Sequence, residues 1–178
     1  AYKRNDTATI EVDTLEFSRL VLAGKNISFE ELPCKEQTLS FEILQCKLKE
    51  NIQLEAFNQD TLKTLNLYDN VNGFNNAAGL LADKNHFPGI DIVKFGENIS
   101  IIQKRATFEN ISVLEIYEKA LAVFRDYYQY EVIQGADRKK MEKIPEAAFR
   151  EAIANALIHR VWDVDSHIRV SMFEDRIE

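Results

Sequence analysis

Residues 144–160 read IPEAAFREAIANALIHR, and residues 167–178 read HIRVSMFEDRIE. The first stretch predicts a helix from about Glu146 to Val161, because the proline before it stands where the first turn of a helix tolerates proline. In the second stretch apolar and polar side chains alternate from His167 to Phe173. This alternation is typical of a strand with one buried face. The two stretches therefore predict a unit of one helix followed by one strand.

A polar stripe runs along the predicted helix, because Glu151, Asn155 and His159 are spaced four residues apart. Ala148 and Ala152 lie beside it, and small side chains let a ligand approach the backbone. The rest of the helix is apolar, so we expect it to be buried with the stripe facing a pocket. A glutamate there could activate a water for attack on a γ-phosphate, and an amide oxygen one turn later could hold Mg²⁺.

Two arginines near the stripe, Arg150 and Arg160, could neutralise phosphate groups. An arginine close to a helix C-terminus also interacts favourably with the helix dipole, which is a structural explanation for Arg160. The spacing Glu-x-x-x-Asn is short and recurs by chance. From spacing alone, a solvated polar face is the competing interpretation of the stripe.

The preceding segment predicts a hairpin and a long helix. Residues Ile90 to Phe95 and Ile99 to Phe108 are rich in β-branched side chains and are joined through a glycine turn. Ser112, with Glu115 three positions later, forms a capping-box pattern for a helix that runs to about Tyr128. With the helix and strand of residues 144–178, these elements predict an α+β chain.

The N-terminal half predicts short elements. We expect a strand at Ala8 to Glu11, then a helix that is capped by Asp13 or Thr14 and stopped by Gly24. The remaining predicted elements are two helices between Thr38 and Phe57 broken near Glu50-Asn51, a short helix capped by Asp60, a helix from Asn75 to Ala82, a strand from Glu131 to Gln134, a charged loop from Ala136 to Lys143, and a tight turn at Glu174-Asp175.

Composition excludes several classes of function. The 178 residues carry a net charge of −7, which gives no overall electrostatic footprint for duplex DNA. No apolar run approaches the roughly 20 residues that span a bilayer, so no membrane partner is expected. Cys34 and Cys46 are not spaced as metal ligands and are interpreted as reduced thiols of a cytoplasmic protein. The chain does not start with Met and stops at the start of a predicted strand, so we expect an internal piece of a longer protein.

Residues 144–160, together with FEDRIE at 173–178, closely resemble the "P-x-x-A-x-R-E-A-x-x-N-A-x-x-H-R-D-Y … D-R-I-E-I" signature of the divergent AAA-type, RecG-related family of bacterial regulators. Residues 75–81 (NNAAGLL) and 91–95 (DIVKF) resemble this family more loosely. The C-terminal module of the family is similar to GHKL ATPases. In that comparison Glu151 and Asn155 fall on the N-box, as the water-activating glutamate and the Mg²⁺-binding asparagine.

The resemblance implies three regions. Residues 1–37 would be the tail of an AlbA-like, Schlafen-type domain with a lead-in, residues 38–140 a mixed linker domain, and residues 141–178 the truncated start of a GHKL-like domain. It implies an ATP-binding transcriptional regulator that uses ATP and Mg²⁺ in the full-length parent. Glu151 would be catalytic, Asn155 would hold the metal, and Asn155, His159 and Arg160 would contact the nucleotide. DNA would bind through the upstream domain of the parent, and a homodimer is a candidate assembly.

The chain departs from the family pattern at two points. Val161 and Trp162 replace an acidic residue and a tyrosine, and the glycine-rich segment that completes the nucleotide pocket is not in this sequence. We therefore expect no tight ATP binding by residues 1–178 alone. The alternative function is a non-catalytic dimerisation or interaction module. A third interpretation, direct DNA binding, rests on Arg138-Lys139-Lys140 and Lys143 beside the aromatic run at 127–130, although such a charge run is usually a solvated loop.

Overall fold

The computed structural model describes residues 2–6, 8–52, 54, 56–134 and 137–178, without the side chains of residues 5, 8, 132, 134 and 137–140. Its helices are α1 (Thr14–Lys25), α2 (Glu42–Ile52), α3 (Gln59–Thr64), α4 (Asn76–Leu81), α5 (Val113–Tyr128) and α6 (Glu146–Ile158), with a 3₁₀ turn at Phe29–Glu31. Its strands are β1 (Tyr2–Asn5), β2 (Ala8–Glu11), β3 (Tyr68–Asp69), β4 (Gly73–Phe74), β5 (Ile90–Phe95), β6 (Ile102–Phe108), β7 (Gln129–Gln134), β8 (Asp137–Glu142) and β9 (Ile168–Met172). The predicted α+β class is confirmed.

The central sheet has the strand order β6-β5-β9. Strands β5 and β6 form the predicted antiparallel hairpin, with Ile90 opposite Phe108. Strand β9 pairs in parallel with β5, from Ile90 opposite Ile168 to Lys94 opposite Met172. A parallel pair needs a long crossover, and here α5, the β7–β8 hairpin and α6 supply it.

The end of the chain folds back on β9. Ser171 and Glu178 exchange two backbone hydrogen bonds of 2.8 and 2.9 Å, and Phe173 donates to the carbonyl of Arg176 at 2.9 Å. Residues 173–178 therefore form a C-terminal turn, which confirms the turn expected at Glu174-Asp175.

The main core lies between the central sheet and helices α5 and α6. Phe124 is fully buried and stacks on Tyr128 at 5.3 Å and on Phe149 at 4.6 Å between ring centroids. Ile90 and Ile92 cover the same core from the sheet and are fully buried. Each such side chain contributes about 1.5–3 kcal/mol of hydrophobic stabilisation, so α6 is fixed on this core by its apolar face.

A second core joins α2, α3 and α4. It is built from Phe41, Leu44, Leu62, Leu67, Ala78 and Ala82. Helix α2 starts at Glu42, later than the predicted Thr38, because the Asp83 carboxylate binds the backbone amides of Glu42 and Ile43 at 2.8 and 2.9 Å. Helix α2 ends at Ile52, close to the break expected near Glu50-Asn51. The second helix expected up to Phe57 is wrong, since residues 54, 56 and 57 are not helical.

Two predicted helix ends also need correction. Asn58, not Asp60, caps α3 and accepts from the amides of Asp60 and Thr61. Asp13 caps α1 as predicted, but Gly24 lies inside that helix. Helix α1 stops at Asn26, which has a φ of 55° in the left-handed region that asparagine tolerates.

The predicted charged loop at residues 136–143 is largely a strand. Residues Asp137–Glu142 form β8 and pair antiparallel with β7. Ala136 and the side chains of Arg138, Lys139 and Lys140 lie outside the described residues, so the DNA-binding interpretation of this run stays a prediction.

Among the described residues, none of the helices is long and apolar enough to cross a membrane. The division at residues 37 and 140 stays a prediction. In the structure the 141–178 segment shares the central sheet and the main core with residues before it.

Candidate functional site

Helix α6 carries the predicted site residues and is oriented by its buried face. Phe149, Ile153 and Leu157 are buried against the main core. At the start of the helix, the Glu142 carboxylate accepts from the Glu146 amide at 3.0 Å. At its end, the His159 amide donates to the Asn155 carbonyl at 2.9 Å. These contacts fix which α6 side chains face away from the core.

The polar stripe lies on the outer side of α6. Glu151, Asn155 and His159 are all exposed, and their side chains make none of the hydrogen bonds or ion pairs found between described residues. The apolar composition of the helix predicted a buried helix with the stripe facing a pocket. The structure instead leaves the stripe exposed. The reason is that the core covers one side of α6 and leaves the opposite side in solvent.

A cavity of about 630 Å³ opens next to the stripe. Ala148, Ala152 and Ala156 of α6 form one wall, and β9 and the C-terminal turn form the others. Each of Glu151 and Asn155 follows a cavity-lining alanine by three positions, which makes them neighbours on the helix surface. The stripe thus borders the cavity, with the small side chains between them predicted from the sequence.

Three cations line the same cavity, Lys143, Arg169 and Arg176, together with the carboxylates of Asp175 and Glu178. Lys143 pairs with Glu174 at 3.3 Å, and Arg176 pairs with Glu178 at 2.7 Å. The carboxylates of both pairs are more than half exposed, so these contacts contribute little stability. Arg169 makes no side-chain hydrogen bond or ion pair within the described part of the chain. These groups can therefore turn to a bound anion at low energetic cost.

Arg160 has a different setting from the other predicted site residues. Its guanidinium donates to the backbone carbonyls of Gly89, at 3.2 Å, and of Val164 and Ser166, and it lies over the Trp162 ring at 4.6 Å. Desolvation by burial lowers the pKa of Arg160 below its usual value. These bonds fasten the loop after α6 to the start of β5, and they engage both terminal nitrogens that the sequence interpretation assigned to phosphate. The buried Nε of Arg160 makes no hydrogen bond within the described residues.

A second cavity, of about 420 Å³, was not foreseen from the sequence. It lies between α4, α5 and the outer end of α6 and is lined mainly by apolar side chains, among them Leu80, Tyr117, Ile158 and Trp162. Ile158 is 71% exposed at its edge. The sequence feature that could have indicated this cavity is Ile158, an apolar residue on a third side of the predicted helix, away from both the polar stripe and the core-facing side.

Groups of metal-binding side chains give no additional site. Within the described ranges, no cluster of three or more His, Cys, Asp or Glu side chains could hold a metal ion. A Mg²⁺ held through Asn155 would instead depend on ligands from a bound nucleotide and water, which is usual for this ion.

Comparison with solved structures shows that this fold occurs in a known protein. The chain superposes on the DIP2311 protein from Corynebacterium diphtheriae with a TM-score of 0.67 and 22% sequence identity. The match covers 97% of this chain and 36% of that chain, so the chain spans about a third of its relative. At this identity the similarity establishes a shared fold. No protein-family model matches the sequence, and no curated protein matches it.

Proposed function

We propose that the chain belongs to an ATP-binding bacterial transcriptional regulator of the RecG-related type and that α6 is its N-box helix. The observation that carries the proposal is the position of Glu151 and Asn155. Both are exposed, one turn apart, at the border of a cavity with an alanine wall and three cations. Following the resemblance, DNA binds through a domain upstream in a cytoplasmic parent protein.

The cavity suits a nucleotide in size and chemistry. Its volume of about 630 Å³ lies in the range of roughly 300–1,000 Å³ that is usual for ligand sites. An apolar wall of alanines with Ile144 and Ile153 can hold the flat face of a base. Lys143, Arg169 and Arg176 supply positive charge for a polyphosphate, and the carboxylates of Asp175 and Glu178 in the same lining offset part of it. The residues present therefore fit ATP, with the downstream segment expected to add the remaining contacts.

The two stripe residues have separate roles in this proposal. The amide oxygen of Asn155 would hold Mg²⁺, and the carboxylate of Glu151 would orient a water for attack on the γ-phosphate. The metal would neutralise phosphate charge when bound. His159 lies one turn beyond Asn155 and would be a further contact for the nucleotide.

The test is calorimetric titration with Mg²⁺-ATP, using the protein extended by its natural sequence after Glu178. We expect Asn155→Ala to weaken binding at least tenfold, and Glu151→Gln to retain binding but lose turnover. Asn51→Ala and Glu50→Gln, which change exposed residues of α2, are the matched controls and should alter neither property. Absence of binding by the extended wild type would overturn the proposal.

A second candidate is an interaction module without hydrolysis. It is favoured by the bonding of Arg160 to three backbone carbonyls and by the exposed Val161, which replaces the acidic residue of the family pattern. The same titration separates the two candidates, since only the first requires Mg²⁺-dependent nucleotide binding.

A further inference from the structure

The outer face of α1, formed by Phe17, Leu20, Val21 and Gly24, is apolar and uncovered. The three large side chains are 47%, 56% and 41% exposed, in that order. A Cβ added at Gly24 would meet nothing within 4 Å. None of the α1 residues is buried. A contiguous apolar patch on a helix is usually an interaction site.

This face is not the side by which α1 is attached to the rest of the chain. Arg19 bonds to Asp163 in the loop after α6, and Leu22 lines two small surface cavities beside the 3₁₀ turn. Phe17 and Val21 border one of these cavities with a single edge of the outer face. At 100° per residue, the outer face is centred well over a quarter-turn away from these two side chains. The attachment therefore leaves the apolar face available.

We propose that the outer face of α1 binds a second copy of the chain, with the two α1 helices antiparallel about a twofold axis between Leu20 and Val21. Such an interface is isologous, because each helix presents the same patch to the other. The inference is independent of the nucleotide site, which lies on α6.

The sequence of α1 is self-complementary in this arrangement. Residues four apart form two adjacent rows, Glu16–Leu20–Gly24 and Phe17–Val21–Lys25. Packing of such rows at a crossing angle of about −50° is the commonest class of helix contact. About the proposed axis, the first row lies against the second row of the partner copy. Leucine then meets valine, and the phenylalanine ring enters the space left by glycine.

The charges also match. The same alignment places each Glu16 beside Lys25 of the partner subunit. Lys25 is exposed and makes no ion pair within the described residues, while Glu16 is held by Lys3 of its own chain at 2.6 Å. A carboxylate can accept from two lysines. Antiparallel α1 helices also bring the negative end of each helix dipole near the positive end of the other.

The interface is small, which predicts a reversible dimer. A helix of 12 residues is about 18 Å long. One helix pair buries less than the roughly 1,200 Å² of a standard stable interface. We therefore expect a monomer–dimer equilibrium that responds to concentration.

Sedimentation equilibrium between about 1 µM and about 1 mM tests this proposal through charge reversal. Lys25→Glu makes two glutamate–glutamate pairs across the interface, and Glu16→Lys makes two lysine–lysine pairs, so each variant alone should weaken dimerisation roughly tenfold. An equimolar mixture of the two variants restores both opposite-charge pairs and should dimerise again. Lys49→Glu, an equal charge change on exposed α2, is the control and should behave as wild type.

Leu20→Lys gives a second test, because the side chain is 56% exposed and its replacement should leave the melting temperature nearly unchanged. We expect this variant to be monomeric. The proposal is overturned if the wild type is monomeric throughout the range, in which case another partner covers the face. It is equally overturned if the wild type dimerises but the mixture of charge variants does not recover.

Discussion

Arg19 and Asp163 are joined by two hydrogen bonds of 2.7 Å each, which link the first helix to the loop that follows α6. The carboxylate is only 14% exposed. The hydrogen bond from Arg19 holds the pKa of Asp163 below its usual value. Since α1 has no buried residue, this bidentate pair is the main polar contact that positions the helix.

We predict that Arg19→Met loosens α1 while leaving the core intact. The methionine keeps an apolar stem but removes both hydrogen bonds. Amide hydrogen exchange of residues 14–25 should become faster, whereas exchange in β5 should not change. Lys25→Met on the same helix is the control, measured where the chain is monomeric. Unchanged protection of α1 in Arg19→Met would show that its apolar contacts suffice.

A second prediction concerns Asp91, a nearly buried carboxylate on β5. Arg105 donates two hydrogen bonds to it, at 2.9 and 2.8 Å, and Thr107 donates one at 3.0 Å. The hydrogen bonds from Arg105 hold the pKa of Asp91 below its ordinary value of 3.8. The stability that Asp91 contributes is therefore complete above the unfolded-state pKa and is lost as the pH falls through the lower folded-state pKa.

Asp91→Asn should accordingly lower the free energy of unfolding by about 1–3 kcal/mol at pH 7. The difference from wild type should shrink as the pH falls below about 4. Denaturant titrations at several pH values measure both effects. Asp126→Asn, which breaks the more exposed pair with Lys104, should change stability little. If the free-energy difference between wild type and Asp91→Asn stays constant down to low pH, the lowered pKa of Asp91 is contradicted.

Two glycines should respond oppositely to alanine substitution. Gly24→Ala should stabilise the monomer by about 0.5–1 kcal/mol, because the added methyl group meets open space inside a helix. Gly89→Ala should destabilise it by about 2–4 kcal/mol, because its Cβ would collide with the Phe108 carbonyl and lie 3.0 Å from Ile116. Thermal melts at low protein concentration compare the two. If Gly24→Ala and Gly89→Ala melted at similar temperatures, the close packing at Gly89 would be contradicted.

Local patterns predicted the elements whose signals lie within a few residues. The alternation in β9 and the β-branched runs of β5 and β6 were sufficient, as were the Asp13 and Ser112 caps. The start of α2 could not be predicted in this way, because its cap, Asp83, lies about 40 positions later. Strand β8 was missed since a charged segment of a two-stranded hairpin shows no apolar alternation.

In the candidate site, too, features with a local sequence signal were predicted and features that depend on distant residues were not. Helical spacing correctly placed Glu151, Asn155 and His159 on one face with the alanines beside them. It could not show what covers each face, so it predicted a buried helix with the stripe facing a pocket, whereas the stripe is exposed at the border of a cavity. The contribution of Arg176 depends on the predicted C-terminal turn, whereas that of Arg169 depends on the parallel pairing of β9 with β5. This pairing is a long-range contact with no local signal.

The last prediction concerns Tyr128, whose buried hydroxyl donates to the carbonyl of Phe173 and lies 3.4 Å from that of Arg176. This contact ties α5 to the C-terminal turn. Tyr128→Phe should cost about 1 kcal/mol and speed amide exchange in residues 173–178. Tyr127→Phe is the matched control, since that hydroxyl makes none of the hydrogen bonds between described residues.

The same tyrosine predicts a loss of stability in alkali. Burial raises the pKa of Tyr128 to about 12, from an ordinary value of 10.0. Between these values the unfolded chain releases the phenolic proton while the folded chain keeps it, so the free energy of unfolding falls as the pH rises. Tyr128→Phe lacks this proton and should lose less stability between about pH 10 and about pH 12 than the wild type does. Denaturant titrations across that interval measure the slopes, and equal slopes would mean that the Tyr128 hydroxyl is not enclosed by the C-terminal turn.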